Sequence, residues 1–154
     1  MLKRHEILFN QLESFRQETL HLITNLTDEQ VDIVPEGFHN NIRWNLGHIY
    51  FDQYLWIKAV TKESIPVPEG FQDWFGFGTK PADWVTPPPR LEELKKLLAE
   101  QPKMIRKLYG NRLEEEFSPT ELGMHTIAQV LVRTIYHEGM HTETIKLMKR
   151  FLNC

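Results

Sequence analysis

Apolar residues recur along most of this chain at intervals of three and four, the period of a helix buried on one face. Leu8, Leu12, Phe15, Leu22 and Leu26 predict a first helix over residues 2–26. "LTDEQVDIVPEG" follows, where Thr27 with Gln30 resembles a capping box for a short turn that Pro35 and Gly37 end. Trp44, His48, Phe51 and Leu55 line one face of a second helix, about Asn41 to Val60. A third follows "TPPPR", with Leu91, Leu94, Leu98, Ile105 and Leu108 as its stripe. Pro102 falls inside that stripe and is expected to kink or split the helix, with Gly110 as its stop. The fourth begins near Thr126 and carries a seam of Ile127, Val130, Thr134, His137, His141, Thr144 and Met148. No alternation of period two lasts long enough for a strand. The pattern predicts an all-α fold, most simply a four-helix bundle.

One connection is unusually long. Residues 61–89 hold six prolines, three glycines and Phe71, Trp74, Phe75, Phe77 and Trp84. So many aromatics imply that the segment packs on the bundle, either as a crossover strap or as the wall of a pocket. Trp74, Phe75 and Phe77 are candidates to hold an apolar ligand there.

Both His137 and His141 fall on the core-facing seam of the fourth helix. Buried imidazoles need partners for their ring nitrogens, and two at i and i+4 can share a metal ion. His48 lies on the apolar face of the second helix. If the second and fourth helices are antiparallel, with Val60 level with Thr126, then at ~1.5 Å per residue His48, His137 and His141 lie at heights of ~18, ~17 and ~22 Å. In a parallel pair His48 would lie only ~9 Å in, and the match fails by ~7–14 Å. The antiparallel pairing makes the second and third helices run the same way, which requires a long crossover, and residues 61–89 supply one. Loop and histidines together predict an up-down-down-up order.

"HEGMH" (residues 137–141) also spells the H-E-x-x-H of zinc proteases. That chemistry needs a third ligand on a later element. Only 13 residues follow His141, without a histidine or glycine at the required offsets. Glu138, one step off the seam, then reads as a solvated carboxylate or as a partner to a ligand. A di-iron centre would use Glu-x-x-His twice, which Glu18–His21 and Glu138–His141 spell, but the second helix offers no Glu, and His48 and His137 would be unused.

"NNIRWNLGHIYFDQYLW", followed much later by "YHEGMHTETI", resembles the DinB/YfiT-like family of small bacterial helical-bundle metalloproteins. The likeness covers most of the chain, from the first helix and the "LTDEQ" turn to the closing His-x3-His. It implies a four-helix bundle with a long crossover and one divalent metal on His48, His137 and His141, the set already chosen from depth. It also implies a homodimer and, in some relatives, transfer of low-molecular-weight thiols such as bacillithiol, mycothiol or glutathione. Where the family often continues His-x-Gly-Gln, this chain has Thr142, Glu143 and Thr144, a departure that bears on activity and leaves the ligands intact.

Three neutral imidazoles leave a dication nearly its full charge and an open position, which favours the thiolate of a small thiol. The donor set suits Zn, Ni, Fe or Cu alike, and one divalent ion of Zn, Ni or Fe is expected. Asp52, one turn beyond His48, could accept a proton or orient a ligand histidine, and reads equally as a partly exposed surface acid. His5, His21, His39 and His125 read as solvated or capping, and Trp44 and Trp56 as core. Three functions stay open: a metal-dependent transferase using a small thiol, a metal-dependent hydrolase of a small molecule, and a non-catalytic metal-binding dimer. Supplying thiol against water alone separates the first two, and a solvent-reachable metal position separates both from the third.

Composition adds limits. A chain of 154 residues with 41% hydrophobic and 25% charged positions fits a single domain, 1–154. A net charge of −3 and a pI near 6.2 give no reason to expect nucleic acid or an anionic membrane. The single cysteine, Cys154, cannot form an internal disulfide and fits a reducing, cytoplasmic location. The N-terminal stretch is charged from the outset and reads as no signal peptide.

Overall fold

The computed structural model describes residues 1–152, so the expectation of a free thiol at Cys154 lies outside the described residues. The described chain is helical, with α1 (Lys3–Leu22), α2 (Asp28–Asp32), α3 (Ile42–Thr61), α4 (Phe71–Phe75), α5 (Leu91–Tyr109) and α6 (Ile127–Lys149), and a 3-10 turn at Pro81–Asp83. No strand occurs among the described residues. Among the described residues no helix is long and apolar enough to cross a membrane.

Local chemistry explains the starts. The Thr27 hydroxyl accepts from the Gln30 N–H and the Gln30 amide oxygen accepts from the Thr27 N–H, the reciprocal box that opens α2. Asn41 caps α3 by accepting from the Trp44 N–H at 2.8 Å. Thr126 and Gln129 form a second box at α6. The first helix stops at Leu22, four residues before its predicted end, where the Lys149 ammonium donates to the Leu22 carbonyl at 2.6 Å.

The long helices α1, α3, α5 and α6 each pack against two of the others: α1 on α5 and α6, and α3 on α5 and α6. The α3–α6 pair is antiparallel, because Asn45 meets His141, His48 meets His137, and Gln53 meets Thr134. The segment between α3 and α5 folds back onto α3 through α4. With that cover, every residue of α3 from Ile42 to Tyr54 is buried.

Several positions differ from expectation. Phe15 stands on the rim at 39% exposure and Leu108 is also exposed, while Arg16, with 1% exposure, occupies the core register of α1. The helix α5 runs through Pro102 without a break. Proline removes the N–H that would bond the carbonyl four residues back, here Leu98. That carbonyl accepts instead from Arg16 Nη1 at 2.6 Å. Arg16 also grips Glu138 with two bonds, Nε to Oε1 at 2.8 Å and Nη2 to Oε2 at 3.1 Å. Glu138 is thus buried and paired, and the solvated reading of it is wrong. Phe77 points to solvent at 93% exposure, so it does not wall a pocket as expected.

Breaking a buried pair leaves an uncompensated charge. Arg16→Ala is therefore expected to lower unfolding stability by ~3–5 kcal/mol, whereas Arg16→Met with Glu138→Leu should recover much of the loss. Urea unfolding of the three proteins checks this, and a double variant as unstable as Arg16→Ala would contradict it.

Candidate metal centre

The antiparallel α3–α6 pair brings His48, His137 and His141 together, as the depth argument expected. His48 and His137 are buried and His141 half-buried. The Nε2 atom of His137 lies 3.2 Å from that of His48 and 3.1 Å from that of His141. Ligands at tetrahedral angles around an ion with metal–nitrogen distances of ~2.0–2.1 Å stand ~3.3 Å apart. Two of the three separations match that spacing, all three ligand atoms lie within 4.8 Å of one another, and this group could hold one ion.

The opposite edge of two of the rings fixes which nitrogen carries the proton. His48 Nδ1 meets the Phe75 carbonyl at 2.7 Å, and a carbonyl only accepts. His141 Nδ1 meets the Asn45 Oδ1 at 2.7 Å, with the Asn45 amide nitrogen turned away to the Asn41 carbonyl at 2.8 Å. His137 Nδ1 faces the Asp52 carboxylate at 3.1 Å. His48 and His141 therefore donate from Nδ1 and point an Nε2 lone pair inward, toward the Nε2 of His137. Two inward lone pairs with a third ring nitrogen 3.1–3.2 Å away are suited to a cation between them. Ligand histidines are held in this way, by a hydrogen bond from the other ring nitrogen.

Burial, followed by the charge on His48 and Arg133, pushes the His137 pKa down to about 3. Burial, followed by its two neighbouring histidines, does the same for His141, also to about 3. Burial likewise lowers that of His48. All three are neutral at pH 7, the form that ligates. Asp52 is not a surface acid: it is 8% exposed, and its Oδ2 also accepts from Arg133 Nη1 at 3.0 Å. Burial pushes its pKa up, against the pull of His48 and Arg133. The Arg133 guanidinium in turn lies 4.4 Å above the Trp56 ring.

The sequence profile of the DinB superfamily matches residues 11–145, which takes in all three histidines. The chain belongs to the DinB superfamily. Among curated proteins, none matches this chain.

This DinB-superfamily chain divides "HEGMH" between two tasks. The histidines face α3, while Glu138 turns to α1, where Thr19 Oγ1 also donates to it at 2.7 Å. A carboxylate so occupied is no protease base. No second group of metal-ligating side chains occurs among the described residues, so Glu18–His21 and Glu138–His141 do not make a di-iron site. His5 departs from expectation: it is buried and bonded through Nε2 to Glu114 at 2.6 Å. His21 and His39 are exposed, and the half-buried His125 stands beside the α6 cap. Trp44 is core, as expected, but also stacks on His48 at 4.5 Å and 12°. The residues that the sequence did not single out are Asn45 and the Phe75 backbone, since neither an amide nor a carbonyl marks a ligand partner without the fold.

Two outcomes are expected. Titrating chelated, tag-free protein with zinc should give one ion per chain, and His48→Ala should lose most of the affinity; unchanged affinity in that variant would refute the triad. The second concerns acid. Unfolded imidazoles take up protons near pH 6.5, which His137 and His141 refuse in the fold until about pH 3. The metal-free fold should hold its stability above pH ~6.5 and lose it steadily as pH falls below that value. The urea midpoint should drop more in wild type than in the His137→Gln/His141→Gln protein between about pH 7 and about pH 5. Equal drops would mean that these histidines are not depressed.

Proposed function

We propose that this protein is a single-domain, divalent-metal-dependent transferase for a low-molecular-weight thiol, with His48, His137 and His141 as the metal ligands. The observation that carries the reading is the convergence of three Nε2 atoms, with the rings of His48 and His141 fixed by hydrogen bonds on their far sides and Asp52 3.1 Å from His137 Nδ1. The proposed architecture is a four-helix bundle in up-down-down-up order with the 61–89 crossover. The ring of pairwise helix contacts and the antiparallel α3–α6 pair support it. Zinc, nickel and iron all suit the donors, and the reading includes a cytoplasmic location and a homodimer.

Neither nearby carboxylate is available as a fourth ligand. Asp52 is held by His137 and Arg133, and Glu138 by Arg16 and Thr19. A divalent ion on three neutral donors supplies Lewis acidity that stabilises a thiolate near neutral pH. The chain's own part is to keep the imidazoles neutral and aimed, with Asp52 placed 3.1 Å from His137 Nδ1. The half-buried His141 marks the side on which the centre approaches solvent. Among the described residues no thiol stands in the site, and the nucleophile in this reading is a co-substrate.

The test is conjugation of bacillithiol, mycothiol or glutathione to a reactive electrophile. The rate should fall after chelation and recover with an added divalent ion. It should be lost in His137→Ala with the helical circular dichroism intact. Metal-dependent ester or amide hydrolysis without conjugation would replace this reading with a hydrolase. A metal saturated by protein ligands, with neither activity, would leave a non-catalytic metal-binding protein.

A further inference from the structure

The three histidines are not supported alike. His141 takes its Nδ1 partner, Asn45, from α3 itself, and Asp52, 3.1 Å from His137 Nδ1, also lies on α3. His48 alone takes its partner from the strap between α3 and α5, the carbonyl of Phe75 at the end of α4. A second strap contact reaches the same ring indirectly. Trp44 stacks flat on His48, and the Trp44 indole N–H donates to Thr79 Oγ1 at 2.9 Å.

What seats the strap is a glycine. Gly47 precedes His48 on α3, and the fully buried Phe75 ring lies over its Cα. A Cβ at position 47 would stand 2.3–2.4 Å from three atoms of that ring, closer than carbon atoms pack. Phe75 is also locked among Phe71 at 5.2 Å and Trp84 at 5.9 Å, and so cannot turn aside cheaply. Any residue larger than glycine must therefore lift the Phe75 backbone, and with it the carbonyl that holds His48.

We infer that Gly47 and Phe75 are positioning residues for the metal, and that docking of the strap and binding of the ion are one coupled equilibrium. Undocked, the strap frees the His48 ring to rotate and to change tautomer, leaving two ordered ligands. With the ion bound, His48 is fixed and presents a ready donor to the Phe75 carbonyl. Such coupling is reciprocal: the factor by which docking raises metal affinity is the factor by which metal favours docking. The inference rests on the metal reading above.

The experiment pairs zinc titration with amide hydrogen exchange over residues 71–79, on wild type, Gly47→Ala and Thr79→Val. Zinc should slow exchange of the wild-type strap. Gly47→Ala should bind zinc ~10–100-fold more weakly, as loss of a ligand's supporting hydrogen bond does. Its strap should exchange faster than wild type while the amides of α3 and α6 stay protected. Thr79→Val removes the Trp44 anchor together with the hydroxyl's own bonds to the Trp74 and Gly76 carbonyls within the strap, and should weaken zinc in the same direction by less. Wild type that binds no zinc would overturn the metal centre itself. Wild type that binds zinc with an unchanged strap, or variants that bind as tightly as wild type, would overturn only the coupling. If Gly47→Ala fails to fold, unchanged affinity in Thr79→Val overturns it alone.

Discussion

The Arg16 guanidinium on α1 reaches each of the other long helices at once. It bonds the Leu98 carbonyl on α5, both carboxylate oxygens of Glu138 on α6, and, at 3.4 Å, the amide oxygen of Gln53 on α3. An unpaired charge with 1% exposure would be untenable, so burial of Arg16 requires all of these partners in place together. Apolar contacts between helices tolerate sliding; a planar fork with fixed acceptors does not. The register of α6 against α1 and α3 is thereby fixed to within a hydrogen bond. That register decides whether His137 and His141 arrive level with His48.

The same knot explains two oddities. Pro102 would normally leave the Leu98 carbonyl without a donor inside the protein, and Arg16 supplies one, so α5 continues. Glu138 sits between two histidines that could hold a metal, yet its charge is neutralised on the other side of the helix. One turn of α6 thus carries a structural anion toward α1 and two neutral imidazoles toward α3. Separating them keeps a strong competing carboxylate away from the metal position and leaves the imidazoles as the inward-facing donors.

The four long helices, the Thr27–Gln30 box and the triad were legible in the sequence because each rests on a short-range pattern. Thr27 with Gln30 is a local signal, and His137 with His141 on the α6 seam is a periodic one. Depth along two helices is simple arithmetic once an antiparallel pairing is assumed, and the long 61–89 segment justified the assumption. What was illegible depended on partners distant in sequence. A charged residue among leucines reads as surface, so Arg16 gave no sign of the core, and Phe15 beside it took the buried place it does not hold. Pro102 reads as a break because its rescuer lies 86 positions earlier on the chain, at residue 16. Asp52 read equally as an orienting group for a ligand histidine and as a surface acid, because its burial comes from Arg133 and the α6 contact. Gly47 has no signature at all, since its importance is the space it leaves for Phe75.

The central claim is that a single cation belongs at the meeting point of three Nε2 atoms. Anomalous diffraction from crystals of tag-free protein, collected at the absorption edge of the bound metal, tests it most directly. The account predicts one anomalous peak per chain, ~2.0–2.2 Å from Nε2 of His48, His137 and His141, with the Nδ1 atoms of His48 and His141 still bonded to Phe75 and Asn45. A peak ligated through Nδ1, one bound by Glu138, or the absence of a peak after incubation with zinc would contradict it.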